Sequence, residues 1–255
     1  MQLAAPDDQR CAAPGAGCCP ACGSGRSERA FDVAGYELRR CRRCASLWAT
    51  GAPGPDDLAG LYADASYYRN AEYSTGDFRG YRDYLADRAS IEAKFEAVLA
   101  RIERHVPPGT LLDVGSGPGL LVAAAQRRGW EARGLDLNPW AVAEAGSVAG
   151  AEVELGTLDD ADLEAGSLDA LTAMDLIEHL PGPGEWLDAA ARAVRPGGGL
   201  ALLTPDAGSP TTQVLGSRWP EVRRVPEHLV LYSVRGLAAL LKRHGFESLC
   251  WHSVG

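Results

Sequence analysis

Three groups of side chains in this sequence have the types and spacing to do chemistry. The stretch AMDLIEHLP, residues 173–181, places Asp175, Glu178 and His179 within five positions. Carboxylates and an imidazole this close can move a proton or ligate a cation. The plainer alternative is that Asp175 caps the next turn while Glu178 and His179 anchor it by hydrogen bonds. In LLDVGSGPGLLV, an apolar run ends at Asp113 and Val114, and Gly115, Gly117 and Gly119 follow at alternate positions. Glycine is needed where backbone turns tightly and a ligand approaches closer than a Cβ permits. The third group is sulfur. Cys19 and Cys22 in CPACG, then Cys41 and Cys44 in CRRC, form two Cys-x2-Cys pairs that can supply four thiolates to one tetrahedral zinc ion. With every ligand position filled by protein, that zinc would be structural. A unit of about thirty residues cannot stabilise itself by core burial, so the metal would hold it together.

Six of the seven cysteines lie in the first 44 residues, and in a reducing compartment such crowding favours metal over disulfides. Cys18 offers a one-residue slip of ligand, Cys11 has no evident task, and Cys250 reads as a core residue. Arg39, Arg40, Arg42 and Arg43 surround the second pair. They either compensate thiolate charge or form a patch for phosphate or an acidic partner. The net charge of −9 argues against a large nucleic-acid footprint. No apolar run approaches the ~20 residues of a membrane span. The opening MQLAAPDDQR has acids where a signal peptide needs bases. The expectation is a cytoplasmic protein with no membrane or nucleic-acid partner.

The elements that must position these groups follow from periodicity. Residues 1–15 show none and read as a flexible tail, and residues 16–50 form the cysteine unit. Residues 51–106 hold a linker, an aromatic segment and a helix with Ile91, Phe95, Val98, Leu99 and Ile102 on one face. The aromatic segment contains Tyr62, Tyr67, Tyr68, Tyr73, Phe78, Tyr81 and Tyr84, which with Trp219 are candidates for a substrate lid or for packing. From 107 to 255, strands alternate with helices: strands at 111–114, 131–136, 151–155, 168–174 and 200–204, helices at 118–129, 138–148 and 183–194. Pro118 suits the first turn of its helix. Ser233 can cap a further helix that Gly245 ends, followed by a last strand in SLCWHSV. This is an α/β protein with a Rossmann-like open, mostly parallel sheet flanked by helices, preceded by a small four-cysteine zinc ribbon. Ligands are expected beyond the carboxyl ends of the strands.

A glycine loop between strand and helix, with the acid Asp136 ending the next strand, points to a nucleotide-like cofactor. The dinucleotide fingerprint would need glycine at position 120, where this chain has Leu120. From residue 85 onward the chain resembles the class I S-adenosylmethionine (SAM)-dependent methyltransferases. The resemblance rests on acid, apolar, G-x-G-x-G in the first motif, on Asp136 in GLDLNP, on GTLDD and on AVRPGGGLALLTP. It implies SAM bound by Asp113, Gly115, Ser116, Gly117, Gly119, Asp136 and Leu137. Leu158 and Asp159 would lie near the adenine, and Asp175 at the far end. A carboxylate at Asp136 can accept hydrogen bonds from both ribose hydroxyls. The cysteine unit is similar to the zinc ribbons of bacterial methyltransferases acting on natural products and cell-surface sugars. Those usually carry Gly after the second knuckle, where this chain has Ala45.

The opening stretch, with His228 in VPEHLVLYS, resembles the acid-x-x-Glu-His plus distant His set of two families. These are the ubiquinone-pathway O-methyltransferases and the plant small-RNA 2′-O-methyltransferases. It implies a divalent cation (Mg2+, Mn2+ or Zn2+) held by Asp175, Glu178, His179 and His228, with Asp175 one methylene shorter than the usual Glu. Such a cation would lower the pKa of an acceptor hydroxyl. Without a metal, His179 or His228 could act as general base. The resulting expectation is O-methylation of a hydroxylated small molecule: a natural product, quinone precursor or sugar. The alternatives are N- or C-methylation of a nucleotide-linked sugar, and RNA methylation. A last strand lacking the usual antiparallel neighbour would favour pairing with a second copy, a homodimer.

Overall fold

The computed structural model describes residues 17–51, 53, 54, 58, 60, 62–70, 80–247 and 250–252. Tyr73 and Phe78 of the aromatic segment, and Cys11, lie outside them. The described strands are, in chain order, β1 (Ser27–Val33), β2 (Tyr36–Cys41), β3 (Leu47–Ala49), β4 (Thr110–Val114), β5 (Glu131–Asp136), β6 (Val153–Leu155), β7 (Leu168–Met174), β8 (Val194–Leu203) and β9 (Val230–Leu231). The described α-helices are α1 (Arg88–Ile102), α2 (Leu120–Arg127), α3 (Pro139–Val148), α4 (Pro183–Ala193), α5 (Pro210–Leu215) and α6 (Val234–Arg243). They form two units, one of residues up to 52 with 205–243, the other of 53–204 with 244–255.

The larger unit is built on a five-stranded parallel sheet of order β6-β5-β4-β7-β8. Its central strands are buried on both faces, with Leu111, Leu112, Leu171 and Ala173 out of solvent, as a helix-covered parallel sheet requires. Strand order reverses between β4 and β7, so a crevice opens beyond their carboxyl ends. α2 buries every residue from Leu120 to Ala125, and α1 buries Phe95 and Leu99. α2 starts at Leu120, two residues later than expected. Gly119 sits at φ +75° ahead of it, leaving Pro118 in the loop. α3 begins where expected: the Asn138 side chain accepts from the Trp140 and Ala141 amides, and Pro139 follows. β8 begins at Val194, six residues before the predicted strand. It runs through RPGGG because a Cβ at Gly198 would lie 2.7 Å from the Asp169 carbonyl oxygen, an approach only glycine allows.

In the smaller unit β1 and β2 form an antiparallel hairpin, β3 pairs with β2, and β9 closes the far edge on β3 (Leu47 opposite Leu231). Ala34 (φ +52°) and Gly35 (φ +84°) turn the hairpin. Leu38, Leu47, Trp219, Val222, Val225 and Leu231 form its core. Residues 205–243, expected to belong to the 107–255 domain, therefore group instead with the cysteine unit. Trp219 is core packing in this unit, not part of a lid. Ser233 caps α6 as predicted, accepting from the Gly236 amide at 3.0 Å. The same hydroxyl donates to the Cys44 carbonyl, and the Ser233 amide donates to Ser46 Oγ at 3.0 Å. Those bonds seat the helix on the second knuckle, which is why it travels with the cysteines.

The predicted last strand is not seen among described residues. Ser248, Leu249 and 253–255 lie outside them, and Cys250, Trp251 and His252 are exposed and unpaired with any strand. Cys250, exposed, is thus no core residue. No described helix is long and apolar enough to cross a membrane.

A Cβ at Gly236 would collide with Ser46 Oγ and come within 3.2 Å of Cys44 Sγ. Gly236→Ala is therefore expected to cost about 1–3 kcal/mol, read as a lowered thermal midpoint, since Ser46 cannot rotate away without losing the Ser233 amide.

Candidate active site

The ends of β4, β5 and β7, together with the tyrosine-rich segment and α1, enclose a cavity of about 540 Å³. That volume lies within the range of small-molecule and cofactor pockets. The glycine loop forms one wall. Gly115 and Ser116 both donate their amides to the Leu135 carbonyl, strapping the loop to β5. Gly115 (φ +73°) and Gly117 (φ +54°) adopt left-handed backbone, and a Cβ at 117 would press to 3.2 Å from Tyr68 Oη. Gly119, expected at the cofactor, does not line the cavity. A Cβ there would lie 2.6 Å from the Ala151 Cβ, so this glycine serves close helix–strand packing.

Two carboxylates define the floor. Asp113, 2% exposed, accepts from Thr172 Oγ1 at 2.7 Å; burial, with the charge of Asp136 beyond it, pushes its carboxyl up to about 7. Asp136 is raised by burial as well, against the amides of Asn138 (2.8 Å) and Gly117 (2.7 Å) and the Tyr68 hydroxyl (3.2 Å) that stabilise its anion. Asp159, Asp175 and Glu185 also reach the cavity, and among the described residues Lys94 is the one lysine or arginine along its wall. Such a lining favours a cationic ligand. Leu137 and Leu158 line the apolar end with Asp159. Asp160 instead closes a turn, accepting from the Thr157 amide and hydroxyl. Glycine backbone without Cβ atoms, an acid beyond each strand and an apolar end together fit the loop, ribose and adenine contacts of SAM.

At the opposite end the chain leaves β7 through Asp175, a non-glycine residue at φ +52°, a conformation that side chains disfavour and that clusters at functional sites. Its carboxylate meets Lys94 Nζ at 3.2 Å. A 3-10 turn, Ile177–His179, follows. Glu178 is fully buried and does not line the cavity, whereas His179 does, with Nδ1 2.9 Å from Tyr62 Oη. His228 belongs to the smaller unit, where it is buried with Nδ1 3.1 Å from the Glu221 carbonyl. Sequence reasoning missed Lys94 and the Tyr62–His179 contact. One signal was present: among 25 basic residues only Lys94 and Lys242 are lysines, and Lys94 enters this cavity.

In the smaller unit Cys19, Cys22, Cys41 and Cys44 converge, all buried, their sulfurs within 4.8 Å of one another. Cys19 and Cys44 Sγ are 3.6 Å apart, Cys22 and Cys41 Sγ 3.5 Å. A zinc tetrahedron with Zn–S near 2.3 Å has edges of about 3.8 Å, so the four sulfurs suit the ion with a small outward relaxation. Cys18 is outside the set. Gly23 (φ +74°) and Ala45 (φ +68°) hold the same left-handed place after each pair.

Fold and site define a Rossmann-like α/β protein with a site for a nucleoside-containing cation. Residues 81–250 match the family described as methyltransferase domain. The chain belongs to that family, in the class I SAM-dependent form. It is 38% identical to the ubiquinone biosynthesis O-methyltransferase of Alkalilimnicola ehrlichii over 100 residues, 37% of this chain and 40% of that protein. It is also 38% identical to the protein of that name from Xanthomonas axonopodis pv. citri, over 44% of this chain and 48% of the relative. The match thus spans less than half the length of these relatives. Among solved structures, a SAM-dependent methyltransferase of Thermotoga maritima described as a possible histamine N-methyltransferase superposes with TM-score 0.55. It shares 18% identity, over 72% of this chain and 80% of that one. A SAM-dependent methyltransferase of Archaeoglobus fulgidus gives 0.55 at 20% identity, over 71% and 75%. At those identities the likeness concerns the fold.

Asp113 makes a prediction with a definite sign. Its carboxyl is raised from the ordinary ~3.9 to about 7 by burial, so the folded protein binds that proton more tightly than the unfolded chain. Its contribution is full below pH ~4 and is lost as pH rises through about 7. Unfolding free energies of wild type and Asp113→Asn, measured from pH 4 to 8, should diverge, with wild type losing stability relative to the variant.

Proposed function

We propose that this protein transfers the SAM methyl group to the oxygen of a hydroxylated small molecule, with an aromatic quinone precursor or phenolic natural product the best fit. One observation carries the reading. His179 faces a cavity walled by Tyr62, Tyr67, Tyr81 and Tyr84 that also contains the glycine loop and Asp136. Aromatic walls favour a planar acceptor, by edge and stacked contacts. The O-methyltransferase names of the relatives support the same chemistry.

SAM supplies a methyl carbon already activated by positive sulfur. The protein's own work is alignment and removal of one proton. A neutral His179 imidazole, lining the cavity with Nδ1 2.9 Å from Tyr62 Oη, would take the acceptor's hydroxyl proton. The oxygen–carbon bond then forms as the carbon–sulfur bond breaks, and the proton stays on the imidazole until water removes it. Asp136 would receive the adenosyl ribose, and Asp113 lines the same cavity from the end of β4.

Through the sequence motif alone, the reading extends to a divalent cation on Glu178, His179 and His228. Asp175 fits that set less well, because Lys94 already occupies its carboxylate. The four cysteines are proposed as a structural zinc site, supported by their spacing and sulfur geometry.

Methyl transfer from labelled SAM to a panel of catechols and phenols tests the activity. His179→Ala should lower turnover by roughly 10²-fold or more while leaving affinity for S-adenosylhomocysteine (SAH) unchanged. Activity that survives EDTA with the protein-bound zinc still in place removes the cation and leaves the general base. Metal analysis should find one zinc per chain. Cys41→Ser should lose that zinc and with it much of the near-ultraviolet circular dichroism of Trp48 and Trp219, since the ion would hold the two cysteine pairs of that unit together.

A further inference from the structure

The carboxylate of Asp136 has fewer open positions than its role at a ribose requires. A carboxylate offers about four lone-pair directions, two on each oxygen. On Oδ2 the Gly117 amide (2.7 Å) and the Tyr68 hydroxyl (3.2 Å) take both, and on Oδ1 the Asn138 amide (2.8 Å) takes one. One direction remains. A ribose presents two hydroxyls, each able to donate, so Asp136 in this arrangement receives one of them and not both.

Tyr68 supplies the missing acceptor. Its phenolic oxygen donates to Asp136 and still carries lone pairs, and Tyr68 lines the same cavity beside Asp136 and Gly117. The ring is not free to step aside. It stacks on Tyr81 (4° between planes) and meets the edges of Tyr67 and Tyr84 at 5.3 and 5.4 Å. Trp140 lies at 5.5 Å. Moving it would break several aromatic contacts together, each of which stabilises beyond its area burial. The absence of a side chain at 117 keeps the oxygen in place, since a Cβ there would already crowd it at 3.2 Å.

We propose that Tyr68 is a cofactor-binding residue: its phenolic oxygen accepts one of the two ribose hydroxyls of the adenosyl group while Asp136 accepts the other. This rests on the SAM reading above and extends it. The segment ahead of the α/β sheet completes the cofactor site, so that site is not confined to the glycine loop and the acid of β5.

Calorimetric titration with SAH and its 2′-deoxy and 3′-deoxy analogues tests the assignment on the full chain. Tyr68→Phe keeps the ring and removes only the oxygen. It should weaken SAH roughly five-fold, the worth of one neutral hydrogen bond, and should become indifferent to the loss of one particular hydroxyl that costs wild type about as much. Asp136→Asn provides the complementary readout and does not depend on Tyr68→Phe folding. It should remain sensitive to the hydroxyl that Tyr68 receives. Equal or tighter SAH binding by Tyr68→Phe would overturn the proposal, as would full sensitivity of that variant to both deoxy analogues. Indifference of Asp136→Asn to both hydroxyls would overturn it too, because both would then belong to Asp136. Wild type that fails to bind SAH at all brings down the SAM reading and this assignment with it. Wild type that binds while Tyr68→Phe changes nothing brings down only the assignment.

Discussion

Two carboxylates held almost out of water at the tips of neighbouring parallel strands set the terms for the larger unit. Asp113 and Asp136 are buried by the same sheet edge, and burial raises both carboxyls because an unpaired anion is costly there. The protein meets that cost with local donors: Thr172 for Asp113, and two backbone amides plus a phenol for Asp136. One of those amides belongs to Gly117, so the loop must turn through left-handed backbone to present it. The glycine loop is therefore tied to Asp136 by a hydrogen bond.

The tyrosine-rich segment is bound to this arrangement by polar contacts at three places. Asn138 Nδ2 donates to the carbonyls of Tyr62 and Asp64, Tyr68 reaches Asp136, and Tyr62 reaches His179. The ring contacts among Tyr62, Tyr67, Tyr68, Tyr81 and Tyr84 then make one wall from residues distant in sequence. At the far end Asp175 tolerates a left-handed conformation, which redirects the chain as it leaves β7 so that His179 comes to line the cavity. Strain at that point and a histidine behind it are consistent with a site built for reaction geometry.

The smaller unit obeys a different constraint. Four thiols packed within 4.8 Å share protons unevenly: bonds from Cys19 and Cys22 draw Cys44 down, while bonding to Cys22 and Cys44, with burial, pushes Cys19 up. A dication bound there would resolve that competition by taking all four as thiolates. Ala45 accepts positive φ where glycine would be unstrained, a cost of about 1 kcal/mol that the knuckle geometry imposes. α6 then buries Cys44 under Gly236, so a helix nearly two hundred residues away in sequence belongs to the cysteine fold.

Spacing alone revealed the features governed by local backbone geometry. Alternate glycines after an apolar strand mark a left-handed loop, paired Cys-x2-Cys marks thiols that converge, and the strand–helix alternation marks a parallel sheet, because each is a property of a few consecutive residues. The β5 acid was legible for the same reason. The partners of these groups were not. Tyr68 meets Asp136 from 68 positions away, Lys94 meets Asp175 from 81, and residues 205–243 leave the expected domain for the cysteine unit. Gly119 was read as a cofactor contact and proved a packing glycine, since spacing cannot say on which side of the loop a missing Cβ leaves room. Such pairings depend on which apolar surfaces bury each other once the chain is compact, a choice made by the summed free energy of the whole packing and written in no short stretch of residues.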